Sequence, residues 1–150
     1  MTKTLRRLTS IGLAAAAATG LTLGFVPSAQ AATWNYSAPT KATSVKTVKS
    51  AALPKGGTLQ VRTGKYNGNR YYWGRVYSPG STYNSDHDVR FQAVGDWDMT
   101  KACLAQGLTK NDIDRTTYTG AAKTTGCIWM AYVVKRSTGK LITSITYDAR

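Results

Sequence analysis

The run Tyr66-Asn67-Gly68-Asn69 lies between two segments that alternate apolar with polar residues, and no other feature constrains the fold of this chain as tightly. Asn and Gly both tolerate positive φ, which a two-residue hairpin turn needs to match the right-handed twist of its strands. Before the turn, Leu59, Val61 and Thr63 alternate with Gln60 and Arg62, the pattern of a half-buried strand. After it, Arg70 to Ser78 reads as the return strand, ended by Pro79-Gly80. Asp88 to Val94 supplies a third strand with Val89, Phe91 and Ala93 on one face. A second hairpin closes the chain: Cys127 to Lys135, a turn over Arg136-Ser137-Thr138-Gly139-Lys140, then Leu141 to Tyr147. In that last strand Leu141, Thr143, Ile145 and Tyr147 alternate with Ile142, Ser144 and Thr146. Short turns without βα alternation point to antiparallel pairing.

The segment between the hairpins reads differently. Asp98 is placed to cap a short helix from Met99 to Gln106, with Gly107 as its stop. Thr109 and Asp112 have the spacing of a second helix start, cut short by the β-branched and aromatic run Thr116 to Thr119. The expected fold is therefore a small antiparallel β-sandwich or β-rich α+β domain, mainly β, with one or two short helices near residues 98–118. Its two cysteines, Cys103 and Cys127, lack Cys-x-x-Cys spacing and are expected to form one disulfide. In the chain-entropy model such a bridge stabilises by roughly 3–4 kcal/mol.

Residues 1–31 carry the marks of a signal peptide: Lys3, Arg6 and Arg7, an apolar run from Ile11 to Val26, and a small-x-small ending at Ala29-Gln30-Ala31. The Ala-rich leader resembles those of exported proteins from high-GC Gram-positive bacteria, which implies secretion, extracellular or associated with the cell wall. The run is too short and too rich in Ala and Gly for a membrane span, so no transmembrane segment is expected after cleavage. Of 150 residues, 119 remain after the first 31, the size of one domain. Ala32 to Gly57 is rich in Ala, Thr, Ser and Lys, and is expected to be a mostly mobile basic leader. Within it, Trp34 and Tyr36 are expected to dock locally, and Ser44 to Lys49 to add an edge strand through Val45 and Val48. Residues 58–150 form the expected β-rich domain.

Charge divides the mature chain. With 17 basic residues against seven acids it keeps +10, and every acid is an aspartate. Lys41, Lys46, Lys49, Lys55, Arg62, Lys65, Arg70 and Arg75 all fall within residues 32–85, where there is no acid at all. Such an imbalance attracts anions and also serves solubility.

Catalytic signatures are sparse. His87 is the single histidine, flanked by Asp86 and Asp88, but neighbours in an extended segment point to opposite faces. Asp86/Asp88, Asp96/Asp98 and Asp112/Asp114 form Asp-x-Asp pairs that read as turn and cap residues, since none continues into a calcium loop. The counts of Cys and His do not build a zinc site, and no cofactor is expected.

One constellation carries a recognition signal. In the strand Arg70 to Tyr77, Tyr71, Trp73, Arg75 and Tyr77 share one face, while Tyr72, Gly74 and Val76 share the other. The aromatic face is either a stacking platform beside a guanidinium or a core face with Arg75 at its edge. Trp97, between two aspartates, is a further exposed-aromatic candidate. These features lead to the expectation of a secreted non-catalytic binding module for an anionic or carbohydrate polymer: cell-wall glycan, teichoic acid or extracellular nucleic acid. The alternative is a secreted inhibitor or toxin that presents Pro79 to Asp88 or Gly120 to Gly126 to a protein target.

Overall fold

A computed structural model describes residues 34–94, 108–123 and 126–149. Among the described residues a short helix, α1 (Ala38–Lys41), precedes eight strands: β1 (Thr43–Ala52), β2 (Thr58–Tyr66), β3 (Asn69–Tyr77), β4 (His87–Val94), β5 (Leu108–Asp112), β6 (Thr117–Tyr118), β7 (Ile128–Lys135) and β8 (Leu141–Asp148). They form two four-stranded sheets, ordered β1-β2-β3-β6 and β5-β4-β7-β8, with every pairing antiparallel. The molecule is mainly β, and the sheets face each other across one core.

That core follows from the period-two pattern. Leu59, Val61, Tyr72 and Val76 from the first sheet meet Val89, Phe91, Trp129, Ala131, Val133 and Ile145 from the second. Phe91 stacks on Trp129 with ring centroids 5.0 Å apart, and Tyr72 stacks on the same indole at 6.3 Å. Gly74 makes room for this stack: a Cβ there would come within 3.4 Å of Phe91 Cβ and 3.3 Å of Thr119 Cγ2. The glycine that interrupts the Tyr72/Val76 face is thus the seat of Phe91, and that face is the main core face.

The β2–β3 turn is the one expected, with Asn67 at φ 48° and Gly68 at φ 75°. In the C-terminal hairpin a register shift between Val133 and Val134 breaks the simple alternation. Leu141 is exposed, Ile142 packs against the core, and the inward pattern resumes at Thr143 and Ile145.

Two expectations need correction. The second helix near Thr109 is absent: Leu108–Asp112 is β5, paired with Asp88 to Gln92, and Thr117–Tyr118 is β6, paired with Val76 and Arg75. A Thr-x-x-Asp spacing is a local signal, whereas β4 and β3 each offer an unpaired edge whose backbone groups need partners. The first expected helix, Met99 to Gln106, lies outside the described residues, as do Cys103 and residues 1–33. The segment 32–57 is not merely a leader. β1 pairs with β2 from Thr43 to Ala52, and Ala38, Pro39 and Leu53 are buried. Among the described residues, no helix is long and apolar enough to cross a membrane.

Candidate anion-binding face

The outer surface of the first sheet is built by the hairpin register. The two-residue turn pairs Tyr66 with Asn69, which sets Arg62 opposite Trp73 and Gln60 opposite Arg75. The last pairing of the sheet sets Tyr118 of β6 opposite Arg75. Gln60, Arg62, Trp73, Arg75, Tyr77 and Tyr118 therefore occupy adjoining sites on one face.

Half of that face is closed. Asn35 Oδ1 accepts hydrogen bonds from the backbone N–H groups of Ser37 at 3.0 Å and Ala38 at 2.8 Å, which starts α1 with Pro39 in its first turn. The helix lies over the sheet so that Ala38, Tyr71, Trp73 and Ala121 form a second, smaller core. Trp73 is 0% exposed and presents no ring face to a ligand. The stacking platform expected around it is corrected accordingly: Tyr71 and Trp73 are packed under α1, and only the Arg75–Tyr77 end of the strand is open.

At the open half, the Arg75 guanidinium lies 4.4 Å from the Tyr77 ring centroid and 5.2 Å from that of Tyr118. Cation–π contact of this kind orients a guanidinium without neutralising it. Arg62 is half-buried beside it, and its pKa is lowered from the ordinary guanidinium value by burial first and by the like charge of Arg75 second. Neither arginine forms an ion pair among the described residues, whereas Arg90, Arg115 and Arg136 each pair with aspartate. Arg62 Nε, Arg75 Nε and Gln60 Oε1 are buried without a hydrogen-bond partner, as is the indole Nε1 of Trp73. The face thus carries two adjacent positive charges with no carboxylate partner among the described residues.

The remaining cations do not converge on it as a set. Lys41 ends α1, Lys46 and Lys49 lie on the exposed strand β1, Lys55 sits in the β1–β2 turn, and Lys65 and Arg70 flank the Asn67-Gly68 turn. Lysines on an exposed edge strand discourage edge-to-edge pairing, which is sufficient reason for Lys46 and Lys49. Trp97 lies outside the described residues.

The aspartates serve a different purpose at the end of the second sheet. Asp88 is buried; it accepts from Arg90 Nη2 at 3.1 Å, Arg136 Nε at 3.1 Å and Arg136 Nη2 at 2.6 Å. Arg136 Nη2 also reaches Asp112 Oδ1. Asp86 caps the start of the β7–β8 turn, accepting from Ser137 N at 2.8 Å and Ser137 Oγ at 2.7 Å. Burial pushes the Asp88 carboxyl up, but the hydrogen bonds and charges of Arg136 and Arg90 override it and hold it below the usual carboxylate value. The His87 ring contacts other groups than the two aspartates: its Nδ1 lies 3.1 Å from Asn84 Oδ1, and its ring meets Tyr83 edge-on at 5.2 Å. Among the described residues, no group of three or more His, Cys, Asp or Glu is placed to hold a metal ion.

Sequence reasoning found Arg62, Arg75 and Tyr77 but missed Gln60 and Tyr118. Gln60 was reachable, because the Asn-Gly turn fixes its partner on β3; Tyr118 carried no such signal, since β6 pairs through only two residues.

No family model and no curated protein matches the chain. A solved structure that resembles it is the crystal structure of an endonuclease/exonuclease/phosphatase from Beutenbergia cavernae DSM 12333, at TM-score 0.41 and 18% identity. The likeness covers 68% of this chain and 27% of that one, so the present chain spans little more than a quarter of that protein's length. The expectation of a non-catalytic polymer-binding module, with its inhibitor or toxin alternative, is corrected on the chain's own geometry. The burial of Trp73 removes the stacking surface on which that expectation leaned. At such a TM-score the likeness assigns no activity to the present chain.

Proposed function

We propose that the open half of the first sheet's outer face binds a discrete anionic group between Arg62 and Arg75, with Tyr77 and Tyr118 as its rim and Gln60 as a neutral hydrogen-bonding neighbour. The observation that carries this reading is the contrast among the arginines. Those of the second sheet are matched by Asp88 and Asp112, while Arg62 and Arg75 sit side by side, half-buried, with no carboxylate partner among the described residues. Two like charges held together in partly desolvated surroundings favour an anion that neutralises both. Each charge-assisted hydrogen bond so formed contributes about 1.5–3 kcal/mol. A titration followed by the Nε–H resonances of the arginines tests it, with phosphate, sulfate and acetate as probes. Those of Arg62 and Arg75 should move first and saturate; no shift at either, or shifts no larger than that of the exposed Arg115, would overturn the reading.

The wider setting belongs to the same proposal. The chain is exported behind residues 1–31 into an oxidising compartment, where Cys103 and Cys127 form a disulfide. Support comes from the basic, apolar and small-residue order of the leader and from an even pair of cysteines, with Cys127 fully buried. Amino-terminal sequencing of the protein from culture medium, and its intact mass after alkylation with and without reductant, test these two statements.

A further inference from the structure

This inference rests on the reading of the open face as an anion site and concerns the class of anion it takes. Three observations bear on the choice. The first is charge: Arg62 and Arg75 are diagonal neighbours on adjacent strands, each opposite the other's flanking residue, and neither has an acidic partner among the described residues. Diagonal side chains on an antiparallel pair start roughly 7–8 Å apart, a span that two long guanidinium arms close around one small group. The second is shape. The Arg75 guanidinium lies over the Tyr77 ring at 4.4 Å and 5.2 Å from that of Tyr118, so aromatic rings fix its position, and Arg62 approaches from the neighbouring strand. The third is burial: Nε of both arginines is enclosed without a hydrogen-bond partner, so the desolvated charge of each guanidinium is left for its terminal Nη groups to present.

A carboxylate carries one charge in one plane, and a single guanidinium serves it fully through two parallel hydrogen bonds. A second arginine at that distance would remain uncompensated and repelled. A tetrahedral oxyanion with two charges offers acceptors in more than one plane, so each guanidinium takes its own pair of oxygens and the paired positive charge is cancelled. We infer that the Arg62–Arg75 face is a site for a dianionic tetrahedral oxyanion, a terminal phosphate group, in preference to carboxylates. Gln60 stands opposite Arg75 on the neighbouring strand, and its amide nitrogen is the one donor it can offer to a third oxygen.

Calorimetric titration of the intact protein with inorganic phosphate, sulfate and acetate tests this, repeated at two pH values on either side of the second ionisation of phosphate. Phosphate and sulfate should bind at least about tenfold more tightly than acetate near pH 8, as expected when a second charge is matched. Lowering the pH to about 5 turns phosphate into a monoanion and should weaken it about tenfold, while sulfate, still doubly charged, changes less than about twofold. Arg62→Gln and Arg75→Gln should each erase the preference over acetate, and Lys140→Gln, on the exposed β7–β8 turn, should leave it intact; unchanged thermal melts establish that the variants are folded. Acetate binding as tightly as phosphate would overturn the dianion inference and leave the anion site standing. No binding by any of the three anions, or phosphate binding that survives the double substitution, would overturn both. A phenyl phosphate arm distinguishes sources: tighter binding than inorganic phosphate assigns the site to a phosphate ester beside Tyr77, and equal binding assigns it to the free ion.

Discussion

Asp88→Asn is expected to be among the most damaging single-atom-scale changes in the second sheet. The carboxylate is 1% exposed and takes three hydrogen bonds from two arginines, so its full charge is committed to the protein. An amide of the same shape replaces one acceptor oxygen by an NH2 donor, aimed at guanidinium donors, and leaves both arginines uncompensated. Breaking a buried pair in this way costs about 3–5 kcal/mol, but Arg90 and Arg136 are 26% and 43% exposed and recover part of that from water. We expect a loss of about 2–3 kcal/mol, the lower part of the range for unpaired charged hydrogen-bonding groups. Urea unfolding at neutral pH measures it, as a midpoint lowered by about 1–2 M with the slope unchanged. The pH dependence supplies an internal control. Because the folded pKa of Asp88 is depressed, its contribution is present above the unfolded carboxylate value, about 3.9, and is lost as pH falls through the folded value. Asp86, held down by the side-chain and backbone hydrogen bonds of Ser137, adds to the same acid loss. The gap between wild type and Asp88→Asn should therefore narrow in acid. A loss below about 0.5 kcal/mol at neutral pH, or a gap that stays constant down to the acid transition, would refute the reasoning.

Trp73→Ala should destabilise by about 3–5 kcal/mol in thermal or urea melts, because a fully buried indole under α1 is removed; a variant as stable as wild type would contradict the packing described for the second core. Gly74→Ala should cost about 1–3 kcal/mol, since its methyl group must displace Phe91 or Thr119, and the near-ultraviolet circular dichroism of the Phe91–Trp129 stack should change with it.

The β-rich architecture was legible because its signals are local. Period-two alternation marked β2, β4 and the C-terminal hairpin, and the positive-φ pair Asn67-Gly68 marked the turn. What escaped is what tertiary context decides. β1 is exposed along nearly its whole length, so only an edge strand through Val45 and Val48 was legible, and its full extent from Thr43 to Ala52 is fixed by backbone pairing with β2. β5 looked like a helix start because Thr109 and Asp112 have capping spacing, yet Thr109 is buried opposite Phe91 and forms part of the edge that completes the sheet. Strand β3 is buried on both faces, by the main core through Tyr72 and Val76 and by α1 through Tyr71 and Trp73. A sequence shows that both faces are apolar, but not that a four-residue helix from far upstream covers one of them.

The candidate site was legible in proportion to how much of it the hairpin register controls. A two-residue turn at Asn67-Gly68 forces Tyr66 against Asn69, and each step outward then pairs one residue before the turn with one after it. Carried four and six residues back, that count sets Arg62 against Trp73 and Gln60 against Arg75, so the juxtaposition of two arginines follows from the turn alone. Their lack of an acidic partner is then partly a property of the segment, since residues 32–85 contain no aspartate to answer them. Tyr118 enters by a different route. Asn111 Nδ2 of β5 donates to the Tyr118 carbonyl, and Thr119 Oγ1 accepts from Gly74 N–H of β3, which holds the two-residue strand between β5 and β3 and lays the Tyr118 ring beside Arg75. The charge of the face and the nearer ring, Tyr77, are thus written locally in one hairpin, while the second ring beside Arg75, Tyr118, comes from a strand more than forty residues along the chain.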